Sequence, residues 1–179
     1  MARILNDNKI MEIQEAILSR RSIRKYTDKK ISEELINKIL KAAMFAPSAM
    51  NQQPWHFIVV DDNDLLKKLS IIHPYGKMLS DASFGIMVCG DEKLQLTKNY
   101  WPVDCSNATQ NLLLSAHGFG LGAVWLGVYP REERMKDLKN IFQLPVHVHP
   151  FALISLGYPA EKKPMPSRFD PERIHKNKW

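Results

Sequence analysis

Apolar residues recur along this chain with two different periods, and the switches between them set out its elements. Ile10, Ile13 and Ile17 recur at helical spacing, so residues 10–20 read as a helix. A basic turn, RRSIRKYTDKK, follows from Arg20. Ser32 is a good N-cap, with Glu33 and Glu34 in the first turn. The helix it opens runs to about Phe45 on Leu35, Ile36, Ile39, Leu40 and Ala43. An uncharged stretch, APSAMNQQPWHF, then delivers the chain to a strand near Trp55–Val60. Asp62 can cap a helix through about Leu69, and SFGIMVCG reads as a buried strand. Pro102 starts a helix that ends at Gly118 or Gly120. AVWLGVY is a strand, and REERMKDLKNIF is an amphipathic helix with Met135, Leu138 and Ile141 on one face. HPFALISLGYP is the last strong strand. The order is two helices, then strand, helix, strand, helix, strand, helix, strand. That is a layered helix-and-strand domain rather than a repeat protein or a barrel.

The tail after Pro159 is polar and basic, with Pro164, Pro166 and Pro171, yet it carries Phe169, Ile174 and Trp179. Those apolar residues favour a tail laid on another surface over a solvated one. With 179 residues the chain suits one domain, 1–179, with 159–179 as an extended arm. A 45% hydrophobic content can build a core, and no apolar run approaches membrane-spanning length. The N-terminus lacks the apolar region of a signal peptide, which points to a cytoplasmic location. Cys89 and Cys105 form no CxxC pair and read as reduced thiols. A net charge of +6 favours anionic partners, phosphorylated ligands among them. No nucleic-acid motif is present, and a nucleic-acid reading leaves the uncharged Ala46–Pro54 loop unexplained.

Few residues look like conventional acid–base machinery. RRSIRK packs four cations around a serine, and an arginine fork suits phosphate oxygens. A solvated basic turn has the same composition. GFGLGAVW fails as a dinucleotide fingerprint: its spacing is G-x-G-x-G, and it leaves a helix for a strand instead of the reverse. Gly118 and Gly120 read as a helix C-cap. Gly127 differs, because a glycine at a strand end lets a flat ligand approach the backbone. His147 and His149 alternate on one strand face, but no third metal ligand is near in sequence, so no metal site is expected. His117 and Cys105 are poorly matched as base and nucleophile, and Ser48 lacks a nucleophile elbow. What remains is a cationic turn, an amide-rich loop, a glycine strand end and a basic tail with Arg168. Such a set suits an enzyme whose bound cofactor supplies the chemistry.

Four stretches together resemble the FMN-dependent nitroreductase family: RRSIRKY, AAMFAPSAMNQQPWHFIVV, GLGAVWLGVY and GYPAEKKP. The resemblance is collinear from about Glu12 to Trp179. It implies an α+β fold with three layers, α/β/α, around a mixed, mainly antiparallel sheet, and a C-terminal arm docked on the partner subunit of a homodimer. It implies that Arg20, Arg21, Ser22 and Arg24 form the first FMN segment, with Arg20 and Ser22 on the phosphate and ribityl chain. Arg24 would lie near the pyrimidine edge of the flavin and stabilise the charge of its reduced form. Pro47, Ser48, Ala49 and Asn51 would line the flavin, part of this loop reaching the FMN held by the other subunit. Leu126 and Gly127 would place their backbone by N5 and O4, and Arg168 would reach the phosphate. The implied function is passage of two electrons from NADH or NADPH through FMN to a small acceptor such as a nitroaromatic or quinone, in ping-pong order. An FMN-binding sensor or store with little turnover is the alternative. No membrane or nucleic-acid partner is expected. Trp55 and Phe57 read as core, and Gln52 and Gln53 as turn or interface residues.

Overall fold

The nine elements follow one another as the periodicities order them. The computed structural model describes residues 11–179, and Ile10 lies outside the described residues. The helices and strands are α1 (Ile13–Ser19), α2 (Glu33–Met44), β1 (Trp55–Val60), α3 (Asn63–Ile72), β2 (Phe84–Asp91), α4 (Trp101–Gly118), β3 (Gly122–Gly127), α5 (Glu132–Ile141) and β4 (Val148–Gly157). Short 3-10 turns at Ala49–Asn51, Lys77–Asp81 and Pro171–Arg173 carry no periodicity that would announce them.

Local chemistry explains where the helices begin and end. The Ser32 and Asp62 side chains accept from the backbone N–H of Leu35 and Leu65, satisfying orphan donors of α2 and α3. At the end of α4, Gly120 takes a left-handed φ of 76°. Its N–H donates to the His117 carbonyl, and that of Leu121 donates to Ala116. This is a Schellman ending, in which the C′ position needs glycine.

The strands lie in the order β1-β2-β4-β3, and each neighbouring pair is antiparallel. The parallel component expected of a mixed sheet is confined, among the described residues, to an isolated bridge between Ser22 and Ala123. Side chains alternate across the sheet. Ile86 and Val88 of β2 pack with Ile36 and Ile39 of α2 and Leu112 of α4. Met87 and Cys89 face the other way, toward Leu66 and Leu69 of α3 and Leu138 of α5. Both faces are therefore covered, giving three layers. Trp55 is buried in the first cluster and Phe57 packs against it. Both cysteines are free and buried, and burial pushes the Cys89 thiol up to about 12.

Two glycines bring other segments down onto this sheet. A Cβ on Gly90 would lie 2.1 Å from Cε3 of Trp101, and one on Gly157 would lie 2.5 Å from Cγ of Tyr26. The second contact seats residues 21–27 beside the sheet. The chain returns along them: Tyr26 bridges Pro159, Thr27 N–H donates to Tyr158, and Ala160 N–H donates to Lys25. Arg21 Nε then donates to the Pro164 carbonyl at 3.1 Å. Beyond this zipper Phe169, Ile174 and Trp179 stand exposed. Among the described residues, no helix is long and apolar enough to cross a membrane.

Candidate functional site

The adjacent Arg20 and Arg21 meet Arg168, from the far end of the chain, at the open edge of β3. The Ser22–Ala123 bridge and an Ile23 N–H bond to the Ala123 carbonyl lay the RRSIR segment along that edge. Burial first, then the charges of Arg168 and Arg21, hold the Arg20 pKa below its ordinary value. His117 on α4 shares the crowding: burial, then Arg20 and Arg21, lower its pKa, against a smaller opposing effect of Glu15. Its Nε2 lies 2.8 Å from Ser19 Oγ. The ion pairs among the described residues involve none of Arg20, Arg21 and Arg168. Cations gathered without a carboxylate partner favour an anion with several oxygens. A groove of about 290 Å³ lies alongside, lined by Arg21, Ile23, His117, Leu121, Pro159 and Lys163 among others.

Ser22 and Arg24 are tied to the returning C-terminal segment. Lys163 Nζ donates to the Ser22 carbonyl at 2.7 Å, and the Arg24 N–H donates to Glu161 Oε1 at 2.6 Å. Arg24 is not among the charges that act on Arg20. It lines a separate cleft of about 640 Å³ with Lys25, Lys30, Ser80 and Ser83.

The amide-rich loop is held in an unusual shape by α4. Met50, Asn51 and Gln53 all have positive φ, of 51°, 54° and 47°. Such residues are uncommon outside glycine, and they persist where surrounding bonds over-determine the backbone. Those bonds come from one stripe of α4. Asp104 Oδ1 accepts from Ala49 N–H at 2.9 Å and its Oδ2 accepts from Gln52 Nε2. Asn107 Nδ2 donates to the Pro47 carbonyl, and Asn111 Nδ2 donates to Ala42. Gln52 Oε1 accepts from Leu96 and Thr97 N–H groups. Gln52 is thus a buried anchor rather than a turn or interface residue, while Ser48 Oγ accepts from Gln53 N–H within the loop. The anchoring leaves Pro47 and Asn51 exposed.

At the far end of β3, Leu126 is buried and Gly127 is exposed. Val128 donates to the Phe151 carbonyl, so the backbone groups of Ala123, Trp125 and Gly127 point away from β4, off the open edge. A Cβ on Gly127 would meet nothing within 4 Å, and its φ lies outside the left-handed range. Neither packing nor backbone conformation demands glycine here. A glycine at a strand end leaves room for a flat group to lie against the backbone. The Gly127 carbonyl already has partners: His73 Nε2 at 3.0 Å and Arg134 Nη1 at 2.9 Å.

The nitroreductase family model matches residues 17–102 and 75–158. The chain belongs to the nitroreductase family. It is 53% identical over 169 residues to a protein of Methanothermobacter thermautotrophicus named "Putative NADH dehydrogenase/NAD(P)H nitroreductase", covering 94% of this chain and 88% of that one. Among solved structures, an FMN-dependent nitroreductase from Clostridium difficile superposes with a TM-score of 0.86 at 32% identity, over 93% of this chain and 99% of that one. A nitroreductase of Desulfovibrio desulfuricans solved in complex with FMN superposes with a TM-score of 0.83 at 32% identity, over 94% and 98% of the two chains.

Within one nitroreductase chain the expected FMN residues fall into separate groups. The loop Pro47–Asn51 leads into β1 at one edge of the sheet, and Gly127 ends β3 at the other. Three strand spacings separate them, about 14 Å. The register pairs Trp55 with Gly90 and Gly127 with Ala152, so both lie toward the same end of the sheet. The chemistry of each group suits FMN: uncompensated arginines for its phosphate, and an open backbone edge and a pinned amide loop for a flat ring with polar edges. The described residues contain no group of three or more His, Cys, Asp or Glu able to hold a metal ion. The fold does bring acids to the histidines that the sequence left unpartnered. Asp91 Oδ2 lies 3.2 Å from His56 Nε2 and 3.7 Å from His147 Nε2, and Glu92 lies 3.2 Å from His149.

Proposed function

We propose that this nitroreductase-family chain is an NAD(P)H-dependent FMN oxidoreductase acting as a homodimer with composite sites. The observation that carries the reading is the convergence of Arg20, Arg21 and Arg168 without a carboxylate partner, on the same strand edge as the sterically open Gly127. Arg20, Arg21, Ser22 and Arg168 bind the FMN phosphate and ribityl chain. Leu126 and Gly127 present backbone to the ring. FMN held there would supply a two-electron redox centre for hydride from NADH or NADPH and for a small acceptor, such as a nitroaromatic or a quinone, in ping-pong order. Arg24 provides a cation that favours negative charge on the ring.

Pro47, Ser48, Ala49 and Asn51 complete the site of the partner subunit. The distance between the two sheet edges within one chain supports this assignment. So do the large apolar side chains that α1, α2, the loop and α4 leave in solvent: Ile13, Leu18, Phe45, Met50 and Val103. The arm 159–179 wraps the partner through Phe169, Ile174 and Trp179.

Mixed dimers test the shared site. Arg20→Ala and Ala49→Trp homodimers should each bind FMN far more weakly, whereas the heterodimer formed on mixing them should regain one full-affinity site per two chains. Failure of the mixture to bind FMN removes the composite site. Steady-state oxidation of NADH and NADPH with nitroaromatic and quinone acceptors tests the reaction, and parallel double-reciprocal lines are expected. A protein that binds FMN but does not turn over is a sensor or store instead.

A further inference from the structure

The Gly127 carbonyl accepts two side-chain hydrogen bonds from different elements. Ala123, on the same edge of β3, receives the backbone N–H of Ile23. The Gly127 carbonyl receives the imidazole of His73, at the end of α3, and the guanidinium of Arg134, on α5. Glycine has two soft backbone dihedrals and no side chain to brace them, so an external clamp sets the direction of this peptide.

The imidazole is built for that task. His73 is 2% exposed. Its Nδ1 accepts from Tyr75 N–H at 3.2 Å, which puts the proton of the neutral ring on Nε2, facing Gly127. The His73 carbonyl takes the Gly76 N–H at 2.7 Å, closing the turn that carries the ring. Burial, and less strongly Arg134, hold the His73 pKa below its ordinary value, against an opposing effect of the Gly127 bond, so the ring stays a neutral donor. Arg134 also lies over the Tyr75 ring, 5.8 Å from its centre. His73, Tyr75 and Arg134 thus form one bracket around the strand end. Nothing in the motifs of the chain marks any of them.

We infer that His73 and Arg134 are positioning residues for the Gly127 peptide. They hold the Gly127 carbonyl, which belongs to the Gly127–Val128 peptide, on protein donors, so that its negative end is drawn away from the bound flavin and the Gly127 N–H, on the preceding peptide, is left to face the ring. Arg134 adds a cation on the same peptide. The inference rests on Gly127 lying beside the flavin ring, as proposed above. Both effects favour the reduced ring, which carries more negative charge, over the oxidised one.

The experiment is the midpoint potential of FMN bound to the wild type and to four variants: Arg134→Met, Arg134→Lys, His73→Leu and His73→Gln. Arg134 is partly exposed, so Arg134→Met reports even where a His73 variant fails to fold. Arg134→Met and His73→Leu should bind oxidised FMN as the wild type does. They should weaken reduced FMN about tenfold relative to oxidised, which for a two-electron couple is a potential lower by about 30 mV. Arg134→Lys and His73→Gln keep a donor and should recover most of the shift. If the wild type holds FMN and Arg134→Met leaves the potential unchanged, the bracket has no role at the flavin and the inference falls alone. If the wild type takes up no FMN, the proposed function falls and the inference falls with it.

Discussion

Replacing Arg20 by alanine separates a binding arginine from a structural one, because the two roles predict opposite changes in the protein without ligand. Arg20 sits half-buried beside Arg168 and Arg21, and burial and those charges depress its pKa. Its guanidinium is therefore held in an environment that disfavours its charge until an anion arrives. Removing it relieves repulsion, so the melting temperature without FMN should stay level or rise. The phosphate of FMN then loses at least one charge-assisted hydrogen bond. Such bonds contribute about 1.5–3 kcal/mol. At about 1.4 kcal/mol per tenfold, FMN affinity should fall by roughly 10- to 150-fold. Quenching of FMN fluorescence on titration gives the dissociation constant, and thermal unfolding with and without FMN gives the stabilities. Arg168→Ala should follow the same pattern. Unchanged FMN affinity would refute the reasoning. So would a melting temperature that falls equally with and without FMN, since that is the behaviour of an arginine that only holds the fold.

Asp104→Ala removes the acceptor for Ala49 N–H and the Gln52 amide beneath the loop, and should cost about 3 kcal/mol of stability by urea unfolding. A loss under about 0.5 kcal/mol, the size of an ordinary surface substitution, would contradict the anchoring role. His117 has a folded pKa depressed below its ordinary 6.5, chiefly by burial and then by Arg20 and Arg21. The unfolded state then binds more protons in that window, so without ligand the stability contributed by His117 is lost as pH falls through and below about 6.5. FMN or the Arg20→Ala change should raise the His117 pKa in an NMR titration, and a pKa that stays put would separate His117 from the anion site. Arg24→Ala should slow anaerobic flavin reduction by NADH more than it weakens FMN retention, and equal stopped-flow rates would end the role given to Arg24.

The sequence made the elements legible where the signal is local. Ser32 and Asp62 as caps, Gly120 as a helix ending and the period-two runs of β2 and β4 each depend on residues within a turn or a strand. RRSIR was legible as a cationic segment because it packs its charges together. What joins the site was not legible, because its partners lie far apart in the chain. Asp104 stands in the middle of a helical run and differs from any exposed aspartate only through Ala49 and Gln52, more than fifty residues earlier. Gln52 and Gln53 look alike in sequence, yet one is buried on α4 and the other is exposed. His73 and Arg134 meet only because α3 ends and α5 begins near Gly127. Asp91 reaches His56 and His147 through strand register, which no spacing along the chain reveals. One trace was available: a loop so rich in amides must satisfy many polar groups, and the neighbouring helix carries Asp104, Asn107 and Asn111 along one face.

The visible absorption spectrum of the purified protein, supplied with FMN where it is colourless and then mixed with reduced nicotinamide without oxygen, tests the central claim most directly. A flavin spectrum that bleaches within the turnover time is the expected result. A protein that holds no FMN under these conditions would contradict the roles of both Arg20–Arg24 and the Ala46–Pro54 loop, and a bound flavin that does not bleach would contradict the oxidoreductase.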